Sequence, residues 1–288
     1  MNVPWNRVDR WTCLLTPAGP RISSAGSRAA VQRLREGARW AERRADRYAL
    51  LPGPVQLSEP LVVDRHGLIH ALTRTLGQSS SGPTLVGRDS SWGLAEAAVG
   101  LSRASGELLT SWWDRGDALR TVLVAPNVWQ VATDNRFDRT DFSRLVALRA
   151  ALWERLLRQV PWVGVHLGQG LGQLPRGSDS FTEAVALLEE LIDLSLEDLT
   201  PREMPSINWI RQHQGSPSFL HSCLRLPGVD RSRAELDRLR FDARQFLTVL
   251  DVRSHPRRLA ALLAGPTALP SGPELTDPAR WQKRVGVV

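Results

Sequence analysis

The sequence predicts a mainly α-helical chain with a small amount of β-sheet, and three observations predict it. Amphipathic stretches recur from Ser23 to Val252, a single short β-branched run reads as a strand, and strand and helix patterns do not alternate. The last point disfavours a doubly wound sheet. With 288 residues and 42% apolar content the chain can bury a large core, and one domain over residues 1–288 is the expectation.

Each element has its own reason. Ser23 to Arg47 reads as a helix, with serines available as caps, apolar or small residues at spacings of three and four, and no interior proline. Leu50 to Pro60 breaks it. Val62 to Leu76 reads as a second helix beginning near Asp64, and Gly77 to Gly87 as a flexible connector. Ser91 to Asp114 reads as a third helix despite three glycines, and Thr121 to Ala125, closed by Pro126, is the strand. Asp141 to Gln159 is the clearest helix, with Thr140 or Asp141 as cap and Pro161 just beyond it. Gly168 to Ser180 reads as a second flexible loop, Phe181 to Glu197 and Arg231 to Val252 as helices, and Gly265 to Asp277 as a Pro/Gly-rich connection.

Composition weighs against several function classes and leaves arginine-based nucleic-acid binding only as a second alternative. The net charge of +7 invites a nucleic-acid reading, but the arginines are interleaved with acids, as from Arg39 to Arg47, which is the pattern of solvated helix faces. No apolar run is long enough to span a bilayer, and charges and prolines from Met1 to Pro20 do not suit a signal peptide, so a cytoplasmic location is expected. Cys13 and Cys223 are too far apart in sequence for a paired-cysteine metal spacing.

Local motifs are weak. Gly168, Gly170 and Gly172 imitate a dinucleotide-binding turn, but no third glycine falls in place, Pro175 interrupts the helix such a turn needs, and no acidic residue follows. His66 and His70 are four apart, the spacing that puts two imidazoles on one helical face for zinc, yet Gly67 stands where a metallopeptidase has its glutamate base. The expectation is that they form no metal site. His166, His213, His221 and His255 are isolated, and no Gly-x-Ser-x-Gly elbow occurs.

Blocks of sequence carry more. Trp5, Leu15-Thr16-Pro17-Ala18-Gly19-Pro20, Val62-Val63-Asp64-Arg65, Leu123-Val124-Ala125-Pro126-Asn127, Asp141-Phe142, Val160-Pro161-Trp162, Leu187-Leu188-Glu189, Leu269-Pro270 and Asp277-Pro278-Ala279-Arg280-Trp281 follow one another in order. In that order and rough spacing the chain resembles an actinobacterial zincin-like family, labelled zinc-dependent metallopeptidase or hydrolase and sometimes associated with deazaflavin coenzyme biosynthesis. The resemblance implies a helical zincin-like scaffold with a small sheet that includes Thr121 to Ala125 beside the Asp141 to Gln159 helix.

In that family the helix before the Val-Pro-Trp turn carries His-Glu-x-x-His, two zinc ligands and the base that activates the metal-bound water. Counting back from Pro161, the matching positions hold Arg149, Ala150, Ala151, Leu152 and Trp153. None of the three motif residues is kept. The family's helix Leu-x-Glu-Gly-His-Ala-Asp, whose glutamate resembles a third ligand, matches Leu188 to Asp193 only in part, keeping Glu189 and Asp193. The resemblance therefore implies a degenerate member: no catalytic residues, no metal, no cofactor, and a binding or regulatory role toward a protein or peptide partner the sequence does not name. Zinc enters only under the alternative of an active hydrolase whose site is gathered from His66, His70 and Glu189. Arg149 and Trp153 share the inward stripe with Leu145, Leu152 and Leu156, so Arg149 is expected to pair with Glu189 while Trp153 covers the guanidinium.

Overall fold

The computed structural model describes residues 5–78, 91–113, 119–173, 178–213, 219–226 and 229–287. The first half runs α1 (Trp5–Leu15), α2 (Ser24–Glu42), α3 (Ala45–Tyr48), β1 (Leu61–Val63), α4 (Arg65–Gln78), α5 (Ser91–Ser105), β2 (Thr110–Trp113), β3 (Arg120–Val124), α6 (Ala125–Asp134) and α7 (Arg139–Gln159). The second half runs α8 (Pro161–Gln173), α9 (Ser178–Ser195), α10 (Ile207–His213), α11 (Phe219–Cys223), α12 (Arg233–Leu250), α13 (Pro256–Leu262), α14 (Gly272–Leu275) and α15 (Pro278–Val285). The fold is mainly helical with one small mixed sheet. Among the described residues no helix is long and apolar enough to cross a membrane.

The sheet has the order β1-β3-β2, with β1 parallel to β3 in the register Val62 to Leu123 and β2 antiparallel in the register Ser111 to Val122. Because side chains alternate along a strand, β3 serves two layers. Val122 and Val124 pack on Leu68 and Ala71 of α4 and on Ala104 and Leu108, while Leu123 joins the main core on the other side. That core is built around α7, which is buried on nearly every face from Phe142 to Leu157. Helix α2 lies close against it: a β-carbon at Gly37 would stand 2.9 Å from the carbonyl oxygen of Ser143.

Blocks distant in sequence meet in one polar knot. Arg65 donates to Asn127 Oδ1 at 2.7 Å, to Gln130 Oε1 at 3.0 Å and to the Pro17 carbonyl at 3.3 Å. Asn127 donates in turn to the Ser105 and Leu108 carbonyls at 2.8 and 2.6 Å. At the other end the fully buried Trp281 donates to the Ala268 carbonyl at 2.7 Å and meets Phe246 edge-on.

Several expectations are corrected. The first helix stops at Glu42 and restarts at Ala45, and Leu61–Val63 is a strand, not the start of α4. The stretch expected as one helix from Ser91 to Asp114 divides into a helix and strand β2 as far as Trp113, with Asp114 outside the described residues. The strand expected over Thr121 to Ala125 runs Arg120–Val124, Ala125 already belongs to α6, and Pro126 stands in that helix's first turn, where a missing N–H costs nothing. The cap of α7 is Asp138, which accepts from the amides of Thr140 and Asp141, leaving Asp141 to accept from Ser206 instead. Gly168 to Gln173 and Ser178 to Ser180 are helical, where a loop was expected. Gly170 sits in α8 because a β-carbon there would meet the Phe181 ring at 2.6 Å, so this glycine serves helix packing. Gly77 and Gln78 finish α4, and the remainder of the expected connector through Gly87 lies outside the described residues.

Candidate functional site

Helix α7 directs Arg149, Ala150 and Trp153 toward α9 and β2, where they line a cavity of about 50 Å³ together with Glu189, Trp112 and Phe219. Arg149 reaches across to α9. Its Nη2 lies 3.4 Å from Glu189 Oε1 and its Nη1 bonds Asp193. Burial pulls this guanidinium below its ordinary pKa and the Glu189 charge pushes it back.

Glu189 is only 2% exposed and its oxygens are occupied. Besides Arg149 it accepts the backbone N–H of Phe219 at 2.8 Å and of Leu220 at 3.4 Å, so it also caps the start of α11. Asp193 is shared with Arg240 at 3.0 Å, and Arg240 and Arg244 of α12 both bond Glu190. The acidic side of α9 is thus sandwiched between cations of α7 and α12.

Trp153 does not cover the guanidinium, which corrects the cation–π expectation. Its ring stacks on Trp112 with centroids 5.8 Å apart, and Phe219 packs on the same Trp112 at 5.7 Å. Two carboxylates attract a guanidinium more strongly than an indole face does, so Arg149 turns to α9 and Trp153 is left to the strand.

These residues do not fit a zinc ion. A catalytic zinc takes three protein ligands with lone pairs, whereas arginine and alanine offer none and the indole N–H is a donor only. The lining contains no histidine among the described residues, and Glu189 already satisfies three donors. Nor do the more distant candidates assemble. His66 and His70 line a separate cleft of about 850 Å³ beside α1, with His66 Nε2 3.3 Å from the Thr16 carbonyl and His70 Nδ1 2.8 Å from Asp9. Gly67 between them is required by packing, since a β-carbon there would lie 2.8 Å from Val63 Cβ. His213 stacks on Trp209, and His221 pairs with Asp237 at 2.8 Å. Burial holds His166 below its ordinary pKa.

Sequence reasoning missed Asp193 as a partner of Arg149, the α11 amides on Glu189, and Trp112. It also missed a recess of about 290 Å³ on another face of α7, floored by Ala147, Ala150 and Ala151 and rimmed by Arg35, Arg39 and Glu59.

A family model described as zincin-like metallopeptidase matches residues 94–241. Among solved structures the chain is similar to one from Chloroflexus aurantiacus described as "a putative hydrolase with a novel fold", with a TM-score of 0.69, 17% identity and 99% of each chain covered. At that identity the likeness speaks to the fold. Among curated proteins nothing matches.

Proposed function

This chain belongs to the zincin-like metallopeptidase family, and from that premise we propose that it is a cytoplasmic, non-catalytic member that has exchanged zinc-dependent hydrolysis for a binding or regulatory role. One observation carries the reading: the Arg149 guanidinium engages Glu189 and Asp193, placing a fixed positive charge where the family resemblance puts a dication. A cation cannot share that position with a metal ion, and among the described residues the two carboxylates of the lining are already engaged, Glu154 by Ser58, Thr121 and Arg158 and Glu189 by the Phe219 amide. The cavity of about 50 Å³ is narrow and flanked by Trp112, Trp153 and Phe219. The recess of about 290 Å³ on another face of α7 is close to the size of ligand pockets and fits the binding role better.

The test is peptide hydrolysis by the untagged protein with and without chelator, run beside Glu189→Gln and Cys13→Ser variants. No chelator-sensitive cleavage is expected in any of them. Cleavage lost in Glu189→Gln but kept in Cys13→Ser would overturn the proposal. For the binding role, reversing charge at the rim with Arg39→Glu should abolish capture of the partner retained from a native-host extract by the unaltered protein; undiminished capture would remove the recess from the reading.

A further inference from the structure

Asp9 and Cys13 stand four residues apart on α1, so their side chains project from one face of that helix, and this face lies on α4. There they meet His70. One carboxylate oxygen of Asp9, the sulfur of Cys13 and a ring nitrogen of His70 all lie within 4.8 Å of one another. The carboxylate is held in place by the Thr73 hydroxyl, which donates to Asp9 Oδ1 at 2.8 Å, and His70 Nδ1 lies 2.8 Å from the same oxygen. All four side chains line the cleft of about 850 Å³.

We infer that Asp9, Cys13 and His70 form a binding site for a divalent cation of the zinc type, with a fourth position open to the cleft and filled by water. The donor chemistry selects the metal class. Oxygen, sulfur and imidazole nitrogen together suit zinc or cobalt, whereas magnesium and calcium take oxygen alone. Three protein ligands with one open position are a recurring zinc arrangement, and Thr73 supplies the supporting hydrogen bond that orients a ligating carboxylate.

Occupancy asks for modest movement. Zinc bonds of about 2.0–2.3 Å place tetrahedral ligands about 3.3–3.8 Å apart, so the widest separation in the trio closes by about an ångström while the 2.8 Å pair of Asp9 and His70 opens by about half an ångström. His70 is 55% exposed and its ring can turn. On binding, the Cys13 thiol gives its proton to solvent, and His70 carries its hydrogen on Nε2 so that the Nδ1 lone pair faces the metal. The carboxylate and thiolate then balance the two positive charges. Arg10 and Arg74 line the same cleft and temper the affinity.

The alternative is a polar staple that fastens α1 to α4. A staple needs Asp9, Thr73 and His70 but gives the sulfur no part, which makes the sulfur the discriminating atom. The experiment is titration of the untagged, reduced full chain with Co²⁺, followed by thiolate-to-cobalt charge-transfer absorption, then displacement by Zn²⁺. One ion per chain is expected, with the charge-transfer band present, absent in Cys13→Ser, and unchanged in Cys223→Ala, His66→Ala and Arg149→Met. Thr73→Ala should weaken binding roughly tenfold and His70→Ala by more, in keeping with the cost of losing a supporting or a direct ligand. Absence of the band from the unaltered protein overturns the inference, as does a band that survives Cys13→Ser or a titration indifferent to His70→Ala. Because Arg149→Met and Glu189→Gln leave this site untouched, its failure and the failure of the non-catalytic reading are separate results.

Discussion

Consider the removal of Arg149. Deleting one partner of a buried ion pair costs about 3–5 kcal/mol, mostly for the charge left behind. Two features of the site reduce that figure. The Arg149 side chain is 21% exposed, and after its loss Glu189 keeps the Phe219 and Leu220 amides while Asp193 keeps Arg240. Arg149→Met should therefore cost about 2–3 kcal/mol. Glu189→Gln retains an acceptor for the Phe219 amide and should cost about 1–2 kcal/mol. An apolar residue at 189 is the wrong partner in a double mutant, because it would strand the two amides. In Arg149→Met with Glu189→Gln the neutral amide no longer needs a cation, so the double should fall short of the summed singles by about 1–2 kcal/mol. Urea denaturation with a common m value provides the assay. Singles that add to within about 0.5 kcal/mol would refute the coupling, and a negligible cost for Arg149→Met would refute the burial argument itself.

Tyr48 is the chain's only tyrosine, and burial together with its 2.5 Å bond to Glu203 pushes its pKa up to about 12. A raised folded value means the stabilisation is complete below the unfolded value of about 10 and is lost as pH rises through the folded one, so tyrosinate absorbance should titrate near 12 folded and near 10 in urea; coincident curves would dismiss the bond. The same bond, with help from Arg47 and Thr200, holds Glu203 below its ordinary value, so its contribution disappears as pH falls through that depressed value, and Tyr48→Phe should weaken this acid-side dependence. At Gly37, alanine would ordinarily stabilise a helix by about 0.5–1 kcal/mol, but the 2.9 Å approach to the Ser143 carbonyl should reverse the sign and cost about 1–3 kcal/mol. A Gly37→Ala protein melting higher than the parent would show that the two helices separate freely.

Much of the helical frame was legible because periodicity and caps are local signals, as at Asp141 to Gln159 and Arg231 to Val252. The sheet was legible only at β3. Leu61–Val63 is too short to be told from the helix that follows, and Thr110–Trp113 owes its extended form to pairing with β3, a tertiary fact. The glycines of α8 look like loop residues until Phe181 is seen against Gly170. At the candidate site, the resemblance brought Arg149 and Glu189 together across two helices. It kept Asp193, one helical turn beyond Glu189, without assigning it to Arg149, and it could not supply the α11 amides, which depend on where the chain returns at Phe219. Asp9 and Cys13 gave no signal at all, since their partner His70 is fixed only by the packing of α1 on α4.

The close approach of Gly37 to Ser143 joins segments separated by more than a third of the chain. During synthesis the inward face of α2, with Ala30, Leu34 and Trp40, emerges long before α7 exists to receive it. β1 likewise waits for β3. The nascent chain therefore carries the exposed inward face of α2 through the first half of its translation, and although α1, α4, α5 and the sheet can meet earlier, the main core closes only once residue 159 has cleared the ribosome. A ribosome that stalls before that point releases a product with an unfilled centre, one that chaperones and proteases must handle.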